Sequence, residues 1–475
     1  MPDKLDYWKN DLLGRNEDAQ LLHTFLVRRM EERKALGQTG SYVLNLDAGW
    51  GQGKTFFLAG FNELLKSEGH RVVLVNAWED DYAEDPLLSV VSAIEKTFPE
   101  GKPAEAARSV AAVGAKIAAV GLKHGAKALL TKVVGSDGAK QIIEAGGALA
   151  KGGVDAVGEL LDASTDAMGK VLLSQFAEGK AAVSDFRNKL SELVQASEDD
   201  PPLFILIDEL DRCRPSYAIT LLERVKHLFE VDGVVFVIAT DTEQLRHSIA
   251  AVYGSEFDGK GYLLRFFDRT YKFAIPDNSS FIEKLLTDSQ IGQGLLASPP
   301  NDQHLAFITS AAHHFSLTLR EIERCFDILR SFLTMWSPQQ PKVQLAYLMP
   351  LIIAYCRDDK RLFAPLAKFA ANTSLLKETE ANRVTFIFDT ADDHGRPTGR
   401  EGRNLVELLV EFQDIGRRPI TELMQMDRVY GGMSGWIRQQ LVQEAYAARG
   451  RQDNTSLHEY PELIRKVARL SKEGD

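Results

Sequence analysis

The stretch DAGWGQGKTF, residues 47–56, follows a short apolar run and precedes a helical pattern. Its residues 53–55, GKT, complete the GxxxxGK[ST] pattern of a phosphate-binding loop. Glycines let successive backbone N–H groups face one anion, and the following helix presents its positive end to that anion. Ala48 occupies the first glycine position of the pattern, so we expect Gly49 and Gly51 to supply the flexibility. Because the loop lies between a strand pattern and a helix pattern, a nucleotide site is favoured over a chance glycine turn.

The loop has expected roles for its polar side chains. Lys54 would neutralise the β- and γ-phosphate oxygens of a nucleotide, and the Thr55 hydroxyl would bind Mg²⁺. The chain has no NKxD sequence of the kind that reads guanine, which favours ATP over GTP. We therefore expect ATP and Mg²⁺ as the ligands of this loop. The residues of the loop that we expect to bind them are Gly49, Gly51, Gly53, Lys54, Thr55 and Phe56.

A second apolar run, Leu203–Ile207, ends in a pair of acidic residues. Downstream of a phosphate loop, this pattern is typical of a Walker B strand. Asp208 would hold Mg²⁺, and Glu209 would polarise the attacking water as general base. Arg212 and Arg214 follow closely, and they either pair with neighbouring carboxylates or contact a neighbour's nucleotide.

Four apolar runs of strand length alternate with helical patterns. They are Tyr42–Leu46, Arg71–Val75, Leu203–Ile207 and Val234–Ile238. Runs without polar alternation are typical of strands buried on both faces, as in a parallel sheet. The sequence therefore predicts an α/β fold with the parallel-sheet core of a P-loop NTPase, a helical insertion and an α-helical C-terminal region. After the last run, Thr240 and Asp241 either cap the next helix, with Glu243 at capping-box spacing from Thr240, or sense the γ-phosphate.

Shifts in composition divide the chain into parts. We expect a helical lead-in over 1–40, a P-loop core over 41–100 and 200–276, an Ala/Gly-rich helical insertion over 101–199, and a helical lid and effector region over 277–475. The insertion is read either as small-residue helices that pack closely or as a flexible surface segment. In the C-terminal region, 383–389 is expected to form an isolated strand and 391–404 an exposed loop.

Charge and cysteine content exclude several classes of protein. The net charge of −11 gives no strong nucleic-acid signal, and the three cysteines form no CxxC pair, which fits a reducing cytoplasm. Met1–Asn10 has no apolar leader. The most apolar segment, Ser109–Leu130, is interrupted by lysines such as Lys116 and Lys123, so we expect no spanning helix. The expected location is the cytoplasm, with peripheral contact of the insertion at the inner membrane as the alternative.

The chain resembles the KAP family of P-loop NTPases, within the class of signalling ATPases with numerous domains. The boxes NAW (76–78) and DELDRCRP (208–215) are the most specific part of the resemblance, which covers most of 41–100 and 200–276. The resemblance implies ATP hydrolysis. Many relatives carry transmembrane helices where this chain has its charged insertion. Bacterial relatives resemble phage-exclusion or stress-response proteins, so the resemblance also implies an antiviral role.

Two further motifs of the family match this sequence. Arg15, in the Leu13-Gly14-Arg15 stretch, is similar to a residue that borders adenine in related ATPases, and a simple turn before a helix is the alternative. Asn76, Trp78 and Glu79 match the NAW box near the phosphate side. We expect Trp78 to pack in the core rather than to stack on a base.

Two arginines are implied to act in catalysis. Arg265 lies where a ring or dimer ATPase would supply an arginine to the nucleotide of a neighbouring chain. Arg269 is the rival for this role, and a surface ion pair is the alternative. Arg320 resembles a lid sensor arginine that touches the γ-phosphate. Its alternative is an ordinary ion pair with Glu323, which i,i+3 spacing puts on the same helix face.

The expected function is an ATP-hydrolysing switch whose turnover moves the C-terminal helical region. Its expected catalytic residues are Lys54, Glu209, Arg265 and Arg320. We expect a homo-oligomer that signals to a protein partner. The alternative function is a nucleotide-gated scaffold that binds ATP with little hydrolysis and docks on a partner or on a membrane surface.

Overall fold

The apolar runs form one parallel sheet in the computed structural model. The structure describes residues 7–98, 100–122, 180–195, 202–274, 277–289, 291, 293–299, 303–337, 339–370, 385–392, 394, 396–425, 431–447 and 453–470. The chain divides into two units, Met1–Ala274 and Ile275–Asp475, and the sheet belongs to the first of them.

The sheet confirms the predicted α/β fold. Its strands are β1 (Tyr42–Asp47), β2 (Arg71–Asn76), β3 (Leu203–Asp208), β4 (Val234–Thr240) and β5 (Arg269–Lys272). Their order is β2-β3-β4-β1-β5, and every neighbouring pair is parallel. Strand β5 was not predicted, because its sequence RTYK is polar and mostly exposed at the edge of the sheet.

The carboxyl ends of the parallel strands lie along one edge of the sheet. The register pairs Asn76 with Asp208. It pairs Asp47 with Thr240 on one side and with Lys272 on the other. The phosphate loop after β1 and the acidic residues after β3 therefore share this edge, with β4 between the two strands.

Helices cover both faces of the sheet, because buried strand side chains alternate between two separate cores. One core is formed with α1 (Arg15–Ala35) and α2 (Lys54–Ser67). The helices that contribute to the other core are α3 (Leu87–Thr97), α4 (Gly101–Leu122), α5 (180–195), α6 (Pro215–Leu228), α7 (Thr242–Tyr253) and α8 (Gly259–Leu263). A 3-10 helix, Tyr7–Asn10, precedes α1.

The described part of the insertion is packed. Helix α4 lies against α3 so closely that a Cβ on Gly114 would stand 2.6 Å from Cγ1 of Val91. Phe186 and Leu190 of α5 are fully buried in the same core. Residues 123–179 lie outside the described residues, and within the described ranges no helix is long and apolar enough to cross a membrane.

The second unit is mainly helical. Its helices are α9 (Ser279–Asp288), α10 (His304–His314), α11 (Leu319–Met335), α12 (Leu345–Cys356), α13 (Lys360–Ala367), α14 (Leu405–Gly416), α15 (Ile420–Gln425), α16 (Gly432–Ala447) and α17 (Tyr460–Val467). Helix α12 is buried at every position from Leu345 to Ala354, so it forms the centre of the unit. Short 3-10 turns cover Gln293–Leu295, Ser456–Glu459 and Ala468–Leu470.

Two small sheets complete the second unit. Strands β6 (Leu296–Ala297) and β7 (Val343–Gln344) pair in parallel. Strands β8 (Thr385–Ala391) and β9 (Pro397–Asn404) form an antiparallel hairpin. The expected isolated strand therefore has a partner. The segment expected to be an exposed loop, 391–404, is mostly exposed over 397–404 but forms a strand there, so the expected loop is wrong. Strand β9 escaped prediction because its sequence, PTGREGRN, has no apolar residue and is mostly exposed.

Candidate nucleotide site

The phosphate loop takes its shape from two glycines with a left-handed backbone. Gly51 has φ 77° and Gly53 has φ 83°, a region that residues with a Cβ avoid. Helix α2 begins at Lys54, directly after Gly53. Ala48 and Gly49 are not in the left-handed region, so alanine fits the first glycine position and the flexibility expected from Gly49 is not required.

The ammonium group of Lys54 is held inside the loop. Its Nζ donates to the carbonyl of Ala48 at 2.7 Å and lies 3.5 Å from Oδ2 of Asp211. The two side chains are 10% and 7% exposed. Oδ1 of Asp211 is buried and has no hydrogen-bond partner within the described part of the chain. The sequence motifs did not predict this contact, although Asp211 lies only three residues beyond Asp208.

The next two residues of the loop have different environments. Thr55, in the first turn of α2, is exposed, so its hydroxyl is accessible from solvent. Phe56 packs against the rings of Tyr7 and Trp8, with centroids 5.5 and 5.9 Å away. Its ring is therefore part of the contact between α2 and the N-terminal 3-10 helix.

The acidic turn after β3 orients its two carboxylates differently. Asp208 is buried, and its Oδ1 accepts the backbone N–H of Glu209 at 2.8 Å. Glu209 has φ 59°, and its Oε1 pairs with Nη1 of Arg212 at 2.9 Å. Arg212 in turn lies over the ring of Trp78, 5.5 Å from its centroid. The predicted base is thus fixed by an ion pair that a tryptophan supports.

The NAW box builds the turn beside this acidic end. Oδ1 of Asn76 accepts the backbone N–H groups of Trp78 and Glu79 at 3.1 and 3.3 Å. Trp78 is 52% exposed, so the expectation that it packs in the core is wrong. The turn comes directly after the edge strand β2, where few neighbours are available to cover the ring. Arg214 pairs with Asp81 of the same segment at 3.0 Å, rather than with the acidic turn.

This arrangement agrees with the comparison with known families. The family model described as the KAP family P-loop domain matches residues 33–335, more than half of the chain. The chain belongs to the KAP family of P-loop NTPases. It therefore contains a nucleotide-binding domain of that family. No curated protein matches the chain in sequence.

In this KAP domain the polar side chains at the end of β4 form hydrogen bonds with other residues of the domain. Thr240 is fully buried, and its hydroxyl donates to Oδ1 of Asn45 at 2.7 Å. Asp241, not Thr240, caps α7, because its side chain accepts the N–H of Gln244 at 3.2 Å. The capping box expected between Thr240 and Glu243 is therefore wrong.

Arg15 lies beside the KAP phosphate loop but is enclosed by protein. A Cβ on Gly53 would stand 4.0 Å from Cδ1 of Leu13, so the Leu13-Gly14-Arg15 stretch borders the loop. The Arg15 side chain is 2% exposed, pairs with Asp18 at 3.0 Å and stacks over Phe273 at 3.8 Å. A contact of its guanidinium with a nucleotide stays a prediction.

The two predicted catalytic arginines lie in different units. Arg265 follows α8, is exposed, and makes no ion pair with any residue that the structure describes. It lines a surface cavity of about 470 Å³ together with Glu223, Tyr253, Phe257, Asp258, Gly261 and Tyr262. Its rival Arg269 lies at the start of β5, 5.9 Å from the ring of Phe25. Arg320 lies in the first turn of α11, which begins at a capping box between Thr318 and Glu321.

The donor set at the sheet edge fits a nucleotide with Mg²⁺ better than a metal ion alone. Within the described ranges, no group of three or more His, Cys, Asp or Glu side chains could hold a metal. Mg²⁺ is usually held by one or two carboxylates together with phosphate oxygens. Thr55 and Asp208 would supply the protein ligands of such an ion, and the nucleotide would supply the others.

Proposed function

We propose that this KAP P-loop domain is an ATP-hydrolysing molecular switch that requires Mg²⁺. The observation that supports it most is the contact between the phosphate loop and the acidic turn. Lys54 begins the helix after β1, and Asp211 follows the predicted base Glu209 by two residues, with Nζ and Oδ2 3.5 Å apart. This contact supports the proposal, because it joins the loop that would bind phosphate to the turn that contains the proposed base.

The chemistry follows from the charges at this edge. The backbone N–H groups of the loop and the N-terminus of α2 would bind the phosphates. Lys54 would exchange the carbonyl of Ala48 and the carboxylate of Asp211 for phosphate oxygens. Glu209 would take a proton from the attacking water. Mg²⁺, when bound, would neutralise charge on the β- and γ-phosphates.

The output of the switch is proposed to be movement of the C-terminal helical region and signalling to a protein partner. A homo-oligomer would let the exposed Arg265 of one chain reach the nucleotide of another. Arg320 would couple γ-phosphate loss to the lid. The resemblance to phage-exclusion proteins supports a role in antiviral defence, in the cytoplasm or at the inner surface of the membrane.

One observation favours a second candidate, a nucleotide-gated scaffold with little hydrolysis. Oε1 of Glu209 pairs with Nη1 of Arg212 at 2.9 Å, so the carboxylate is already engaged by a cation in this state. If the pair persists when nucleotide is bound, ATP would be held without turnover, and the nucleotide would regulate docking.

The experiment that separates the two candidates measures binding and phosphate release on the same protein. Purified full-length chain would be given ATP or GTP, with Mg²⁺ or with a chelator. Mg²⁺-dependent release supports the switch, whereas tight binding without release favours the scaffold. If the protein neither binds ATP nor releases phosphate, both candidate functions are overturned. Mass determination with and without ATP would then show whether nucleotide drives assembly.

A further inference from the structure

Two of the three cysteines face each other in the second unit. Cys325 lies on α11 and Cys356 is the last residue of α12. Their Sγ atoms are 3.8 Å apart, and the Cys325 thiol donates a hydrogen bond to the sulfur of Cys356. Cys325 is 1% exposed, while Cys356 is only partly buried. Cys356 is therefore the more accessible of the two residues.

An ion pair holds the two helices together at the same place. Glu321 lies one helical turn before Cys325, so both side chains face the end of α12. The carboxylate of Glu321 pairs with Arg357, the residue after Cys356, at 2.7 Å. A disulfide has an S–S distance of about 2.05 Å, so the two sulfurs, now 3.8 Å apart, would have to approach by less than about 2 Å. The packing of α11 on α12 therefore presents the two thiols to each other without a long approach.

The two thiols differ in acidity, and the more accessible one, Cys356, has the lower pKa. The hydrogen bond from Cys325 lowers the pKa of Cys356, and the charges of Arg324 and Arg357 act in the same direction. The same bond, with burial, raises the pKa of Cys325. The thiolate is the reactive form of cysteine, so Cys356 is the better nucleophile of the two.

Cys213 offers a natural contrast within the same chain. It is buried after the acidic turn, and burial raises its pKa to about 12, with Asp81 adding to the effect. Its sulfur contacts the carbonyl of Glu209 at 3.6 Å. An oxidant that reacts according to thiolate character and access should therefore spare Cys213.

We propose that Cys325 and Cys356 form a redox modification site that a peroxide converts into a disulfide. The Cys356 thiolate attacks one peroxide oxygen, the O–O bond breaks, and the second oxygen leaves as water after taking a proton. The Cys356 sulfenic acid then reacts with the Cys325 thiol, the S–S bond forms, and the sulfenic oxygen leaves as a second water. Both sulfurs are oxidised, and the peroxide supplies the oxidising equivalents.

The test counts thiols and maps the link in the full-length protein. Near-stoichiometric hydrogen peroxide should lower the number of thiols that titrate after denaturation from three to one, and a dithiol reductant should restore all three. Digestion with trypsin should yield a linked pair of peptides, 325–330 with 343–357, lighter by two hydrogens than the separate peptides. The peptide that begins at Cys213 should stay fully alkylated.

Two variants establish the order of events. In Cys325→Ser, Cys356 should stop at the sulfenic acid and be trapped by a cyclic diketone. In Cys356→Ser, Cys325 should stay reduced. An unchanged count of three thiols in the wild-type protein, or a link that includes Cys213, would overturn the proposal without the use of any variant. Equal trapping of both cysteines in their single variants would overturn the assigned order.

Discussion

The phosphate loop and the acidic turn lie at the same edge of the sheet and both contain left-handed backbone, but they place different residues there. The loop uses Gly51 and Gly53, for which a positive φ has no steric cost. The turn uses Glu209 at φ 59°, where a Cβ meets the neighbouring carbonyl oxygen. At Gly51 and Gly53 the proposed binding groups are backbone N–H groups, so these two positions need no side chain. In the turn a costly side chain is retained.

The energies give this difference a functional meaning. A left-handed conformation costs a residue with a Cβ about 1–2 kcal/mol. Such strain is concentrated at functional sites, where a side chain can have a task that glycine cannot perform. The task that fits Glu209 is that of a proton acceptor whose position is fixed by the ion pair with Arg212. We therefore propose that the loop serves binding and that the turn serves turnover.

The largest effect is expected at the binding end. Lys54→Ala removes a cation that is buried in the loop, and charge-assisted hydrogen bonds contribute about 1.5–3 kcal/mol each. We expect ATP affinity to fall by about 100-fold or more, measured by equilibrium dialysis. Lys66→Ala is the matched control, because Lys66 is an exposed lysine near the end of the same helix. Equal affinities of the two variants would refute the assigned role of the loop.

The next effect separates turnover from binding. Glu209→Gln keeps the shape of the side chain and loses its basicity, so ATP affinity should stay within about threefold while phosphate release falls by about 100-fold. Release and affinity would be measured on one preparation. Normal release would identify another base, and Asp211, with its partnerless buried oxygen, would be the first candidate.

A smaller effect is expected from the exposed Arg265. An arginine supplied by a neighbour can contribute about 10³–10⁵ in rate, and we expect Arg265→Ala to lower turnover by at least about tenfold with affinity nearly intact. Mixing this variant with Lys54→Ala should restore part of the activity. Mixed oligomers that stay inactive would exclude action in trans and leave Arg320 as the leading candidate. Arg269→Ala tests the rival, because loss of turnover in that variant instead would assign the role to Arg269.

The parts of the fold that could be predicted are those with a strong local pattern. The all-apolar runs of β3 and β4 are buried at every position, as their composition indicates. Strands β5 and β9 could not be predicted, because their residues are mostly polar. The pairing of β5 also depends on β1, which lies far earlier in the chain, whereas β9 pairs with the neighbouring β8. The exposure of Trp78 could not be predicted either, because it depends on the position of β2 at the edge of the sheet.

The site was predictable in its motifs and not in its contacts. The GKT end of the loop and the acidic residues after β3 can be recognised directly in the amino-acid sequence, and the comparison with the KAP family agrees with them. The approach of Lys54 to Asp211 joins residues 157 positions apart. The pair of Arg214 with Asp81 spans 133 positions. Such contacts are set by strand order, which the local pattern does not contain.

The most direct test of the central claim is the Glu209→Gly variant, because it removes the strain and the carboxylate together. Relief of the left-handed conformation offsets both the greater flexibility of glycine in the unfolded chain and the loss of the ion pair with Arg212, so the free energy of unfolding should stay within about 1 kcal/mol of the wild-type value. Phosphate release should be lost.

Asp358→Gly is the matched control, since Asp358 is an exposed residue with φ 49°, and it should show the same stability change with normal release. Both quantities would be measured on the Glu209→Gly protein, by denaturant unfolding and by phosphate release. The account predicts a protein as stable as the wild type that does not turn over ATP. A stable variant that still releases phosphate would contradict it.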